Sequence, residues 1–110
     1  MTHTPIEQIQ IHMLEAQVIE VLRTCYDPEI PVDIYELGLI YGIDVTAKGS
    51  VHIRMTLTSP ACPVAGSLPP EVESKVRAID GVSEATVEVV WDPPWTPDKM
   101  SEAAKLTLNL

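Results

Sequence analysis

A chain of 110 residues, 45 % of them hydrophobic, is long enough for one hydrophobic core and too short for two domains. Its 16 acidic residues outnumber 7 basic ones, and the formal net charge of -9 disfavours binding to nucleic acid or to anionic membranes. No apolar run approaches the roughly 20 residues of a membrane span, and the N-terminus lacks a signal-peptide pattern. The two cysteines form neither a disulfide scaffold nor a Cys-x-x-Cys pair. We therefore expect one cytoplasmic domain over residues 1–110 that binds neither nucleic acid nor membranes.

The first predicted element is an amphipathic helix. Apolar residues recur at helical spacing from Leu14 to Cys25, which predicts a helix that ends near Tyr26. The stretch Thr4-Pro5-Ile6-Glu7 has the form of a helix start, and it either opens a short helix of its own or lengthens this one. Cys25 falls on the buried stripe, so we interpret it as a core thiol with a raised pKa rather than as a ligand.

The next segment, residues 27–36, holds two prolines and four carboxylates. Pro28 and Pro31 disfavour helical angles in the residues before them, which predicts a stiff, partly extended loop. Its carboxylates, Asp27 and Glu29 among them, are candidates for oxygen ligands or for a hydrogen-bonding surface. A solvated acidic loop is the simpler alternative for each of them.

A β-hairpin is predicted next. The first strand lies within residues 37–46 and has four alternating apolar residues on one face: Leu39, Tyr41, Ile43 and Val45. Gly49 can take a positive φ in the following turn, so a second, antiparallel strand is expected over residues 51–58. Four of its residues share the core face: Val51, Ile53, Met55 and Leu57. His52 and Arg54 then point to the solvated face.

The remaining elements complete a two-layer α+β domain. Leu68, Val72, Val76 and Ile79 keep helical spacing and predict a second helix, which Gly81 closes. A third strand is expected over Ala85–Trp91, then a clasp of two indoles at Trp91 and Trp95, and a last helix that starts at Thr96-Pro97-Asp98 and runs through Leu106. The order helix-strand-strand-helix-strand-helix predicts a three-stranded mixed sheet with the helices packed on one face, over a core of about residues 14–106.

The stretch Thr58-Ser59-Pro60-Ala61-Cys62-Pro63 places a lone thiol between a strand and a helix. Pro60 and Pro63 predict a stiff loop, because each fixes a backbone angle and removes an N–H donor. A nearby helix N-terminus favours the thiolate form of Cys62. The alternative is a small buried hydrophobic residue, which is what most free cysteines are.

Four blocks of the sequence carry a family resemblance: Asp27-Pro28-Glu29-Ile30-Pro31, Leu37-Gly38-Leu39-Ile40-Tyr41, Thr58-Ser59-Pro60-Ala61-Cys62-Pro63 and Asp92-Pro93-Pro94-Trp95-Thr96-Pro97. In their order and approximate spacing the chain resembles the iron-sulfur cluster assembly family that includes SufT and PaaD, with SufT the closer comparison. The resemblance implies an iron-sulfur cluster assembly domain-like fold and a role in cluster maturation or delivery. It also implies that Cys62 is the functional cysteine, with Asp27, Glu29 and Thr58 as a supporting motif.

Ligand count then limits the mechanism that the resemblance implies. A cluster normally takes four protein thiolates, and with Cys25 buried this chain offers only Cys62. We therefore expect no stably bound cofactor and only a transient iron-sulfur cluster or iron. Three arrangements remain: two Cys62 thiolates across a homodimer with outside ligands, one Cys62 in a site shared with a partner's cysteines, or a transient sulfur or iron contact.

The expected partners are the iron-sulfur assembly machinery and recipient apoproteins. An enzyme is disfavoured, because none of His3, His12 and His52 is placed by its neighbours to act as a base for Cys62. The alternatives are a protein-protein adaptor without metal or sulfur chemistry and, by the PaaD resemblance, an assembly factor for a multicomponent oxygenase.

Overall fold

The helices and strands follow one another along the chain in the predicted order. The computed structural model describes residues 5–27, 30–58 and 68–108. Its elements are helix α1 (Pro5–Leu22), strands β1 (Ile40–Val45) and β2 (Ser50–Met55), helix α2 (Leu68–Arg77), strand β3 (Glu84–Val89), a 3-10 turn (Pro97–Lys99) and helix α3 (Glu102–Thr107). In the described part of the chain, no helix has the length and apolar character needed to cross a bilayer.

The strands form one mixed sheet in the order β1-β2-β3. β1 and β2 are antiparallel, with Val45 opposite Val51, whereas β2 and β3 are parallel, with Ser50 opposite Glu84. A parallel pair needs a crossover connection, and α2 supplies it. The predicted three-stranded mixed sheet is therefore confirmed.

The hydrophobic core lies between the sheet and the helices. The four predicted core residues of the second strand are all buried: Val51, Ile53, Met55 and Leu57. From α2, Leu68, Val72 and Val76 pack into the same core. A side chain of this kind contributes about 1.5–3 kcal/mol when it is fully buried. Burial of these three side chains therefore supplies most of the free energy that holds α2 on the sheet.

Helix α1 has the earlier of its two predicted starts, but it ends before the predicted residue. The Thr4–Glu7 stretch does not open a helix of its own, since α1 runs without a break from Pro5. The predicted end near Tyr26 was wrong, because the chain leaves the helix after Leu22. There the backbone turns into an extended pairing, in which Ile34 N–H donates to the Cys25 carbonyl at 2.8 Å and Tyr26 bridges Asp33. Cys25 is buried as predicted, but just beyond the helix.

Strand β1 contains a β-bulge at Tyr41. Ile40 lies opposite Met55 and Gly42 opposite Arg54, so Tyr41 is the extra residue. The predicted single face of four alternating residues was therefore wrong at Tyr41. A bulge re-aims a side chain without any change in the apolar pattern. Here the Tyr41 hydroxyl donates to the Pro93 carbonyl at 2.7 Å instead of packing in the core.

The single C-terminal helix predicted from Thr96 to Leu106 was also wrong. The 3-10 turn ends at Lys99, and Ser101 has extended angles (φ -66, ψ 162) that interrupt any continuous helix. Ser101 N–H donates to the Glu36 carbonyl at 2.9 Å, which favours this break. Leu106, predicted on the apolar face, is 74 % exposed.

The two indoles do not behave alike. Trp95 Nε1 donates to the Leu37 carbonyl at 2.7 Å and packs against the core, as a clasp should. Strand β3 ends at Val89, before the predicted end at Trp91, and the Trp91 side chain is 47 % exposed. Only Trp95 therefore confirms the packing prediction.

Candidate functional site

Two of the four predicted site residues meet in the structure. Asp27 lies in the loop after α1 and Thr58 follows β2, 31 positions away in the chain. The Thr58 hydroxyl donates to Asp27 Oδ2 at 3.5 Å, and the Asp27 residue is only 5 % exposed. The other two, Glu29 and Cys62, lie outside the described residues. The contact joins the acidic loop to the end of the strand that leads to Cys62.

The Asp27 carboxylate also shapes its own loop. Its Oδ1 accepts a hydrogen bond from Ile30 N–H at 3.1 Å. The Asp27 N–H donates to the Val32 carbonyl at 3.4 Å, and Val32 N–H donates to the Ile30 carbonyl at 2.7 Å. A buried carboxylate that accepts backbone hydrogen bonds is held in one place. Of the alternatives left open by the sequence, the structure favours hydrogen bonding over a solvated surface for Asp27.

Asp33, another of the four carboxylates of this loop, also accepts backbone hydrogen bonds. Its Oδ2 accepts from Tyr35 N–H at 3.1 Å and from Glu36 N–H at 3.0 Å. Aspartate commonly bonds to backbone N–H groups two and three positions ahead in such turns. This preference of aspartate is the sequence feature from which the role of Asp33 could have been predicted. Asp33 therefore holds the turn that enters β1.

Cys25 has the environment of an inert core thiol. The residue is fully buried, and its Sγ lies 3.6 Å from the Val21 carbonyl oxygen. Burial raises the pKa of this thiol; Lys75 opposes the rise and Glu71 adds to it. A raised pKa keeps the thiol protonated near neutral pH, and a protonated thiol is a poor metal ligand. The prediction of a core thiol with a raised pKa agrees with this environment.

The described residues contain no ready-made metal site. Among them, no three His, Cys, Asp or Glu side chains come close enough to share an ion. His52 instead hydrogen-bonds to Thr86 at 2.7 Å and to Glu88 at 3.1 Å, across the solvent-facing side of the sheet. The prediction that His52 serves a solvated sheet face rather than catalysis agrees with these contacts.

A groove lies beside Thr58. It is lined by Thr56, Leu57, Thr58, Trp91, Pro94 and Trp95. Thr56 is fully buried, and in the part of the chain that the structure describes its hydroxyl has no hydrogen-bond partner. Such a group usually has a reason in function or in bound water. The sequence analysis missed Thr56 because strand alternation assigns it to the polar side.

The part of the chain that contains the candidate site matches the model of a protein family. Residues 15–89 match the model described as iron-sulfur cluster assembly protein, and this span includes all four predicted site residues. The chain is 47 % identical over 95 residues to an Fe-S protein maturation auxiliary factor of Porphyromonas gingivalis, covering 86 % of this chain and 90 % of that protein. It is 39 % identical over 84 residues to the auxiliary factor SufT of Staphylococcus aureus, covering 76 % of this chain and 96 % of that one.

A solved structure shares the fold. The crystal structure of a domain of unknown function from Bacillus anthracis superposes with a TM-score of 0.86 at 35 % identity. The match covers 94 % of this chain and 98 % of that one. The α+β architecture is therefore the same over nearly the whole of both chains.

Proposed function

We propose, because this chain belongs to the iron-sulfur cluster assembly protein family, that it is an accessory factor in the assembly of iron-sulfur clusters or in their transfer to recipient proteins. The relatives named as maturation auxiliary factors support this role, and they match this chain over most of their own length. The cluster is cargo in this proposal, and the chain has no resident cofactor and no catalytic step.

The Asp27–Thr58 contact is the observation that carries the proposal. Thr58 lies within reach of the buried Asp27 carboxylate of the acidic loop. Cys62 follows Thr58 by four positions, and an extended chain spans at most about 3.6 Å per residue. The Cys62 Cα is therefore no farther than about 14 Å from that of Thr58. Asp27 thus supports the base of the segment that carries the proposed thiolate.

We assign Cys62 the role of a transient thiolate ligand. Its thiol must lose a proton to solvent before it binds iron, and iron-sulfur clusters normally take four thiolates. Because Cys25 is buried with a raised pKa, this chain contributes one ligand. A second copy's Cys62 together with outside ligands, or a partner's cysteines, supply the other three. On transfer a recipient thiolate replaces Cys62, which takes up a proton again, so no electron is exchanged.

A chain that contributes a single ligand is better suited to carry a cluster transiently than to bind one stably. The assembly machinery and recipient apoproteins are therefore the proposed partners, and a homodimer joined by outside ligands is one way to complete the ligand set. Thiolate chemistry also needs a reducing compartment, which favours the cytoplasm.

The direct test is Cys62→Ser in cells that lack the natural copy of this gene. We expect the activity of an iron-sulfur recipient enzyme to stay as low as in cells without the protein. Cys25→Ala is the control and should restore that activity, because Cys25 does not reach the cargo. Full recipient activity with Cys62→Ser would refute the thiolate role.

The adaptor alternative is favoured by one observation, the exposed indole of Trp91 beside Thr58. Thiol alkylation of the native protein separates the two functions. Rapid modification of Cys62 with Cys25 protected supports thiolate chemistry. Protection of both cysteines, together with loss of maturation in Trp91→Ala but not in Cys62→Ser, would establish the adaptor instead.

A further inference from the structure

A second pocket lies beside the β-bulge of β1. Its cavity of about 640 Å³ is lined by Arg54, Lys99, Tyr41 and Asp92, together with the apolar residues Ile40 and Val90. Ligand sites commonly fall between about 300 and 1,000 Å³. Asp27 and Thr58, the described residues of the cluster-handling proposal, do not line this pocket, so an inference about it stands apart from the proposed function.

The pocket gathers positive charge in an acidic chain. The whole sequence has only 7 basic residues and a net charge of -9, yet two of the basic side chains, Arg54 and Lys99, line this one cavity. Arg23, Lys75 and Arg77 each pair with a glutamate. Within the described residues, Arg54 and Lys99 form no ion pair. Their charges are therefore available to an anion from outside the chain.

Two glycines make room for these basic residues. A Cβ on Gly42 would collide with the Arg54 guanidinium, which lies directly over the Gly42 backbone. A Cβ on Gly38 would collide with the backbone carbonyl of Lys99. Lys99 is further held with its Nζ at 5.2 Å from the centre of the Tyr41 ring, within cation-π range. The two positive groups are thus placed before any ligand arrives, which lowers the entropy lost on binding.

The bulge completes the pocket by turning Tyr41 out of the core. Its hydroxyl is engaged by the Pro93 carbonyl at 2.7 Å, so the ring forms a fixed wall. Burial raises the pKa of Tyr41, and the Asp92 charge adds to the rise. Ile40, Val90 and Pro93 add apolar surface beside the cations. A ligand must therefore satisfy both a positive and an apolar part of the same cavity.

We propose that this pocket binds a carboxylate group attached to an apolar body. Two cations and the Asp92 carboxylate leave one net positive charge, which matches a monoanionic carboxylate better than a phosphate dianion. Arg54 can hold a carboxylate through two parallel N–H bonds, and Lys99 adds a further charge-assisted bond. The apolar part of the ligand then covers Ile40 and Val90. Such a group occurs in free organic acids and in the glutamate of a partner protein flanked by apolar residues.

The experiment titrates the full chain, labelled with ¹⁵N, with 4-methylpentanoate and follows backbone amide shifts. We expect saturable shifts centred on Gly38, Tyr41, Gly42, Arg54 and Lys99. The neutral amide of the same acid should bind at least about tenfold more weakly, because it forms no charge-assisted bond. Equal binding of acid and amide, or stronger binding of inorganic phosphate at these residues, would overturn the proposal.

A charge-matched pair of variants gives the control. Arg54→Gln with Lys99→Gln should weaken the acid at least about tenfold. Lys48→Gln with Lys105→Gln removes the same charge outside the pocket and should leave affinity unchanged. Similar losses in both double variants would show only a general effect of net charge and would refute the site. Thermal unfolding of each variant checks that the fold is intact.

A final arm identifies the source of the carboxylate. The peptide acetyl-Leu-Glu-Leu-amide is compared with its glutamine counterpart under the same conditions. Tighter binding of the glutamate peptide than of 4-methylpentanoate supports a segment of a partner protein. Binding of the free acid without the peptide supports a small organic acid. Failure of both ligands to shift the pocket residues rejects the carboxylate site altogether and leaves the cluster-transfer proposal unaffected.

Discussion

Gly38 is a position that only glycine can fill. Its φ is +81°, and an added Cβ would meet the backbone carbonyl of Lys99, which cannot rotate away as a side chain could. Gly81 is a natural control, because its φ is +97° but an added Cβ would meet nothing within 4 Å. The pair separates backbone strain from steric collision.

We expect Gly81→Ala to lower the free energy of unfolding by about 1–2 kcal/mol, the strain of an alanine at positive φ. Gly38→Ala should lower it by a further 1–3 kcal/mol or so, because the collision adds overpacking to the same strain. Urea denaturation of both variants measures the difference. Equal losses would show that the Lys99 backbone moves aside freely.

The residues of the candidate site were predictable in identity but not in arrangement. Asp27 and Thr58 stand in motifs that the sequence exposes, yet nothing local indicates that they meet across 31 positions. That contact exists because the loop after α1 and the end of β2 are brought together by the core. The roles of Cys62 and Glu29 stay predictions, since both lie outside the described residues.

Helix α3 depends on one capping residue. The Ser101 hydroxyl accepts from Ala104 N–H at 3.1 Å and donates to Glu36 Oε1 at 2.7 Å. Thr96 precedes the 3-10 turn in a similar position, but its side chain makes no capping bond. The sequence favours Thr96 as the cap, and the structure uses Ser101.

Ser101→Ala should therefore reduce the free energy of unfolding by about 0.5–2 kcal/mol, the usual loss for an N-cap residue. Thr96→Ala should change it by less than about 0.5 kcal/mol, as expected of an exposed residue without a special contact. Thermal and urea unfolding provide the measurement. A larger loss at Thr96 than at Ser101 would contradict the assigned cap.

The periodicity of apolar residues predicted which segments are helices and which are strands, whereas tertiary contacts determine where these elements end. Alternation along β2 and helical spacing along α2 were enough to predict both, because each buries one face. The end of α1 was not predictable, since it is set by pairing of Cys25 with Ile34 farther along the chain. The bulge at Tyr41 was hidden for the same reason, because the register belongs to the strand pair.

The excess of negative charge acts on the whole molecule. The principal extents are 44, 28 and 24 Å, and the Debye length falls from about 30 Å at 0.01 M salt to about 8 Å at 0.15 M. At low salt each carboxylate is therefore repelled by others across the two shorter dimensions of the fold and most of the longest one. At physiological salt most of that repulsion is screened.

We expect sodium chloride to raise the stability over this range by on the order of 1 kcal/mol, or about 4–8 °C in melting temperature. The double variant Glu20→Gln with Asp44→Asn should reduce the salt effect, because the loss of two exposed carboxylates changes the net charge from -9 to -7. Melting curves at both salt concentrations test this. A salt effect of the same size in the double variant would point away from self-repulsion.

The sequence predicted the features of the whole molecule better than it predicted those of single residues or elements. Element order, sheet type and family were all confirmed, because four separate blocks and a regular apolar pattern depend on the chain as a whole. The assignment of residues 1–110 to a single domain stays a prediction.

The mixed sheet also orders the events by which the chain folds. Val45 and Val51 close a short hairpin, whereas Ser50 and Glu84 pair across 34 positions. Loop closure over a longer stretch loses more entropy, so we expect the hairpin to form early and β3 to join late. Until β3 and α2 dock, Thr58 is held by its strand while Leu68 has no anchor. Thr58 and Leu68, which flank the stretch that carries Cys62, are thus both anchored only in the finished fold, so we expect the proposed thiolate role of Cys62 to require that synthesis and folding of the chain are complete.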